Sequence, residues 1–135
     1  MDPVVHFELP CDDRERIARF FEQAFGWKTQ MLGPEMGNYV VVTTAEPSAP
    51  PPAPPHAVPG CINGGFFTKT PDMPAQFPGI VIAVQDIRAS MKKVAAAGGQ
   101  VLGEPMMIPT VGDYVAFLDT EGNRSSMLQP LMPQQ

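Results

Sequence analysis

Val5, Phe7 and Leu9 alternate with His6 and Glu8, the period-two pattern of a strand with one apolar face and one wet face. Pro10 is expected to end this strand. Asp12 is placed to cap a helix, with Glu15 completing a capping box, and Ile17, Phe20, Phe21, Ala24 and Phe25 recur at helical spacing. Gly26 stands where a left-handed residue closes a helix, so residues 27–31 and 38–43 read as the next two strands, and 60–68 as a fourth. Within that fourth strand Gly64 and Gly65 mark a bulge or a close approach of something across the strand.

The pattern then returns. Shifted by 73 positions, residues 6–13 (HFELPCDD) lie over 79–86 (GIVIAVQD), and Gly26 lies over Gly99. At a shift of 75, residues 37–40 (GNYV) lie over 112–115 (GDYV), so Tyr39 and Tyr114 occupy equivalent places and are expected to share a structural role. Asp86 caps the second helix, whose Ile87, Met91, Val94 and Ala95 form its buried stripe before Gly98 and Gly99. Strands are expected at 100–103, 113–118 and 124–129, the last two joined by a turn at 119–123 in which Gly122 supplies the positive φ. The unit βαβββ therefore occurs twice, about 1–68 and 79–135. It predicts one α+β domain of two curved sheets around a cleft with the helices outside.

A chain of 135 residues suits one compact domain with a core of its own. A net charge of −5 with nine Lys plus Arg argues against nucleic acid or an anionic membrane as partner. No apolar run reaches the ~18–20 residues of a membrane span, and no basic, apolar leader precedes the first strand, so a cytoplasmic location is expected. Cys11 and Cys61 are too few for a zinc motif and read as free thiols. Residues 47–59 hold seven prolines in thirteen positions, which predicts an extended loop containing an exposed His56. A proline-rich contact for a partner is the alternative use of that segment.

Five groups of residues carry a resemblance: His6; Arg19-Phe20-Phe21; Ala24-Phe25-Gly26-Trp27; Ala97-Gly98-Gly99; and residues 118–123 (LDTEGN). Together they resemble the vicinal oxygen chelate superfamily of glyoxalases, extradiol dioxygenases and bleomycin-resistance proteins, most closely its short bacterial glyoxalase-related branch. The resemblance implies a divalent metal held by four His, Gln or Glu ligands, two from each module, acting as a Lewis acid. His6 stands at the first ligand position. The counterpart at the start of the fifth strand is Gly79, the last-strand position is Ser126, and the remaining one falls within 61–65, which offers Cys61 and Asn63.

One imidazole does not hold a catalytic ion, so the favoured expectation is a homodimeric protein that binds a small, partly apolar molecule without a metal cofactor, His6, Glu8, Asn63, Ser126 and Trp27 lining the site. The alternative is a metal-dependent lyase, isomerase or dioxygenase in which Glu8 joins His6 as a ligand pair. A third reading is an accessory domain that uses the proline segment. For His6 itself the options are a hydrogen bond to Glu8, to a hydroxyl or to water, or proton transfer with the pKa raised by Glu8. Trp27 reads as a packing anchor or a stacking platform. Residues 106–108 (MMI) read as an apolar lid or as dimer surface. No nucleophile elbow or phosphate loop is present, which argues against acyl transfer and nucleotide chemistry.

Overall fold

The computed structural model describes residues 1–45, 60–72 and 76–131. The proline segment and His56 lie outside them. The chain divides into two compact units, His6–Pro74, and Met1–Val5 together with Ala75–Gln135. Each repeats the predicted order, so the fold is α+β.

In the first, β1 (Val4–Cys11), α1 (Arg14–Phe25), β2 (Lys28–Met31), β3 (Val40–Thr43) and β4 (Asn63–Thr68) make a sheet in the order β2-β3-β4-β1. Pro10 does not end β1. Bonding residues alternate along a parallel ladder, and the Cys11 carbonyl accepts from the Lys69 N–H at 2.9 Å, so the nitrogen of Pro10 points away from β4 and no ladder bond is lost. The longer strand moves the helix start: Asp13, not Asp12, is the cap, its carboxylate accepting from the Arg16 N–H at 3.0 Å. Its third helical residue is then Arg16, so Glu15 makes no capping box. Gly26 closes α1 at φ +72°, its N–H bonded to the Glu22 carbonyl, as expected.

The core of this unit is Cys11, Ala18, Val40, Val42 and Phe66, with Phe7, Leu9, Ile17, Phe21 and Trp27 packed against it. The predicted helix stripe was too wide. Phe20 and Phe25 are 58% and 65% exposed, covering the flank of Phe21 in edge and tilted ring contacts rather than entering the core.

The second unit holds β5 (Gly79–Ala83), α2 (Ile87–Ala96), β6 (Gln100–Ile108), β7 (Gly112–Leu118) and β8 (Arg124–Pro130) in the matching order β6-β7-β8-β5. Asp86 caps α2 as predicted, accepting from the Ala89 N–H at 3.0 Å. Ile87, Met91 and Val94 face the core with Val84, Val115 and Met127, whereas Ala95 is exposed. Strand β6 runs five residues past its expected end because a bulge after Leu102, where Gly103 takes φ +97°, resets its register instead of stopping it. Met106, Met107 and Ile108 are therefore ladder residues opposite Tyr114, Asp113 and Gly112, not a lid. The 119–123 turn closes as predicted: the Asp119 carboxylate accepts from the N–H groups of Glu121 and Asn123 at 2.8 and 2.9 Å, and Gly122 has φ +80°.

Candidate functional site

Because side chains alternate across a strand, registers decide which face each candidate occupies. In the first unit Phe7, Leu9 and Cys11 point toward α1, so His6 and Glu8 share the opposite face. Asn63 pairs with His6 and Gly65 with Glu8, which puts these two positions on that face also. Gly65 pairs in turn with Val41 on β3.

The residue that meets His6 here is Tyr39. Its hydroxyl lies 2.8 Å from His6 Nε2, and the two rings are near parallel at 20° with centroids 6.4 Å apart. Two glycines make the room. A methyl group at position 65 would overlap the Tyr39 hydroxyl and ring, and one at position 64 would stand 2.6 Å from ring atoms of Phe7 on the helix side. The ladders through both glycines keep an unbroken register, so the close-approach reading holds and the bulge reading does not. Tyr39 is also held from behind. Arg14 donates to the carbonyls of Leu32 and Asn38 at 2.7 and 3.1 Å, clamping the 33–38 turn, and the Leu32 N–H donates to the Tyr39 carbonyl at 2.9 Å.

His6 is half-buried, and burial alone pushes its imidazole below the ordinary value; the expected upward shift from Glu8 is not what governs it. Burial disfavours the charged ring, so the unfolded chain takes up the proton first as pH falls. Stability from this group is complete above about pH 6.5 and is lost on acidification below it. His6→Gln is therefore expected to lose less stability than the parent between pH 7 and 5, measured by urea unfolding at each pH; equal losses would remove His6 as the cause.

The other candidates are distributed unevenly. Asn63 is beside His6, but its side-chain oxygen is committed to the segment after β3, accepting from the N–H groups of Thr44 and Ala45 at 2.8 and 3.2 Å and from the Thr44 hydroxyl at 3.3 Å. Trp27 lies on the helix side, stacked on Phe21 at 4.4 Å and 7° and touching Phe7, which is the packing role. Cys11 is buried, and burial with the Asp12 and Asp13 carboxylates pushes its thiol up, away from nucleophilic use. Cys61 is free and exposed.

In the second unit Val81 pairs with Ser126. Continuing that register puts Gly79 beside Arg124, and a methyl at Gly79 would indeed sit 3.0 Å from the Arg124 carbonyl. Arg124 and Ser126 thus share a strand face, as expected. His6 and Asn63 then correspond to Gly79 and Arg124, and Gly65 corresponds to Ser126. Ser126 is 5% exposed, and its hydroxyl lies 2.6 Å from that of Tyr114. Each tyrosine hydroxyl thus finds a partner on the face away from the helix: Ser126 for Tyr114, and His6, across the bare backbone of Gly65, for Tyr39.

This correspondence narrows the first module's second ligand position from 61–65 to Gly65. Of the four positions implied for a divalent metal, two are glycines, one is a hydroxyl bonded to a phenol, and one is an imidazole bonded to a phenol. That donor chemistry does not fit a set of His, Gln and Glu ligands. Among the described residues no three His, Cys, Asp or Glu side chains are grouped to hold an ion, and no helix is long and apolar enough to cross a membrane.

Comparison with known proteins places this architecture. A "Glyoxylase-like domain-containing protein" of Didymella fabae is 31% identical over 117 residues, covering 86% of this chain and 84% of that protein. The Mycobacterium bovis protein CFP32, named with the glyoxylases, is 46% identical over 129 residues, 95% of this chain. The chain spans only 44% of that longer mycobacterial relative. Among solved structures, methylmalonyl-CoA epimerase from Mycobacterium tuberculosis superposes with a TM-score of 0.64 at 12% identity, over 96% of this chain and 88% of that one. The sequence model of the Glyoxalase/Bleomycin resistance protein/Dioxygenase superfamily matches residues 4–126, and the chain belongs to that superfamily.

Proposed function

We propose that this chain binds a small, partly apolar molecule without a catalytic metal, on the sheet face that carries His6, Glu8 and Tyr39. The observation that carries the reading is the donor set: where the resemblance implies two protein ligands per module, the first offers His6 and Gly65 and the second Gly79 and Ser126. Nitrogen and carboxylate donors confer the affinity of such sites, and a hydroxyl in their place does not restore it.

The test is metal analysis with thermal unfolding. Protein purified without chelator is expected to carry well under one equivalent of divalent metal, and Mn²⁺, Ni²⁺ or Zn²⁺ is expected to leave the midpoint unchanged. A metal that binds the native state raises apparent stability by mass action. One equivalent of bound metal, lost in His6→Ala, would establish the alternative of a metal-dependent lyase, isomerase or dioxygenase around His6 and Glu8.

The same reading makes the chain a cytoplasmic homodimer. Met106 and Met107 are 61% and 57% exposed, and Val111 and Leu131, joined by the Leu131 N–H to the Val111 carbonyl at 3.0 Å, are also exposed at the same end of β6 to β8. Apolar surface of this kind favours self-association. Sedimentation equilibrium is expected to give twice the chain mass and, for Met106→Asp with Met107→Asp, the chain mass itself; a monomeric parent would reject the dimer.

A further inference from the structure

The two units follow one plan, yet the layer between helix and sheet is filled differently in each. In the first, aromatic rings fill it: Phe21 stacks on Trp27 at 4.4 Å and lies 5.6 Å from Phe66. The 73-residue shift lays Phe21 over Val94, Trp27 over Gln100 and Ile17 over Ser90, and the matching ladder pairs Leu9 with Phe66 and Ile82 with Met127 lay Phe66 over Met127. The rings and the isoleucine thus give way to valine, glutamine, methionine and serine. One ring is added, Phe117 at the place of Val42, and a cavity of about 140 Å³ remains.

Its floor is the helix side of the sheet, through Ile82, Val84, Phe117 and Met127, and its wall is α2, through Ser90 and Val94. At the mouth are two exposed residues, Lys93 of α2 and Asp2 of the N-terminal segment. The Ala83 N–H donates to the Pro3 carbonyl at 2.9 Å, which holds that segment against β5 and Asp2 at the mouth. Close-packed interiors leave few voids larger than a water molecule, and an apolar cavity of about this size takes up a ring such as benzene.

We infer that this cavity is a binding site for an uncharged molecule built on a single aromatic ring, which takes the place that the Phe21 ring has in the first unit. The cavity is on the helix side of the second unit, whereas the His6 face is the side away from the helix in the first. The inference therefore goes beyond binding at His6, and each stands or falls alone. The volume admits one ring and not two. The floor carries no titratable side chain, so a charge carried inward would go unpaired, and the one carboxylate and one ammonium at the mouth favour neither sign. Phe117 offers a ring for edge or offset contact and Met127 a thioether, and both contacts favour an arene over an alkane of equal size.

The experiment uses the whole chain with toluene, benzylamine and benzoate, which present one ring uncharged, cationic and anionic. Affinities come from NMR titration of the methionine methyl groups, with the Met127 signal, identified through Met127→Leu, as the local reporter. Toluene is expected to shift that signal and to bind about tenfold more tightly than either charged probe. Val94→Phe rebuilds in the cavity the ring that the first unit has. It is expected to weaken toluene binding by about tenfold or more and, as cavity filling does, to raise the unfolding midpoint by about 2–6 °C. Ser90→Ile, which restores the first unit's residue on the same wall, is a second filling that does not depend on a new ring packing well, and is expected to weaken toluene binding by about threefold. Unchanged toluene affinity in the folded filled variants, tightest binding of benzoate or benzylamine, or no Met127 shift up to the solubility of toluene would each overturn the inference. Toluene binding that survives both fillings and disappears in His6→Gln would put the ring at the other site and overturn it as well.

Discussion

Phe66→Ala is expected to destabilise the chain by about 3–5 kcal/mol, the range for removing a fully buried aromatic ring from a core that relaxes only in part. Phe66 is 0% exposed and lies on β4, the strand between β1 and β3, with Leu9 and Val40 as its ladder neighbours. Its ring centroid is 5.6 Å from that of Phe21, which ties α1 to the sheet. Truncation removes contacts on three sides at once. For a chain of this length the loss corresponds to a fall of roughly 10–18 °C in the unfolding midpoint, readable by calorimetry. Phe20→Ala is the internal comparison: that ring is 58% exposed, so its removal is expected to cost under ~1 kcal/mol. A Phe66→Ala midpoint within a few degrees of the parent would mean that the core has been assigned to the wrong face of β4, and with it the face assigned to His6.

That face assignment was legible before any coordinates. Val5, Phe7 and Leu9 alternate with His6 and Glu8, and parity alone puts the last two together. The duplicated βαβββ plan was legible as well, and the 73-residue shift lays Asp13, the first helix cap, over Asp86, the second. What hid the first cap was Pro10. Whether a proline ends a strand depends on which side its nitrogen faces, and that is a property of pairing with β4, some 57 residues away in the chain. The length of β6 was hidden for a related reason, since Gly103 and Pro105 look like breakers until a bulge is seen to absorb them.

The site was half legible. His6 stood out at the head of a strand, and the glycine pair at 64 and 65 marked either a bulge or a close approach. The link between them was not legible, because Tyr39 and His6 are 33 residues apart and meet only through the register of two ladders. The available clue was the combination of an aromatic residue at the head of β3 with a side-chain-free position diagonal to it on β4. Asn63 shows what position alone leaves out: it stands beside His6, and backbone donors following β3 engage its side-chain oxygen. Sequence gives the donors a chain owns and says much less about which the fold has already engaged.

Gly65→Ala therefore tests fold and site together, and its expected signature is a change of sign. In the parent background the new methyl overlaps the Tyr39 hydroxyl and ring, so the ring must swing away, the contact with His6 Nε2 is broken, and a half-buried imidazole loses its phenol. The expected cost is about 1–3 kcal/mol, from overpacking and from an unmade buried hydrogen bond. Position 65 itself does not demand glycine, since no left-handed φ is found there and the strand conformation suits alanine. Once Tyr39→Ala has removed the ring, the same Gly65→Ala change is expected to be neutral or to stabilise by up to ~1 kcal/mol, because alanine restricts the unfolded chain more than glycine does. The double-mutant cycle isolates the 39–65 coupling, and urea unfolding of the four proteins measures it. If Gly65→Ala costs the same with and without the tyrosine, the penalty belongs to the backbone of β4, and the bare position would have no part in bringing Tyr39 to His6.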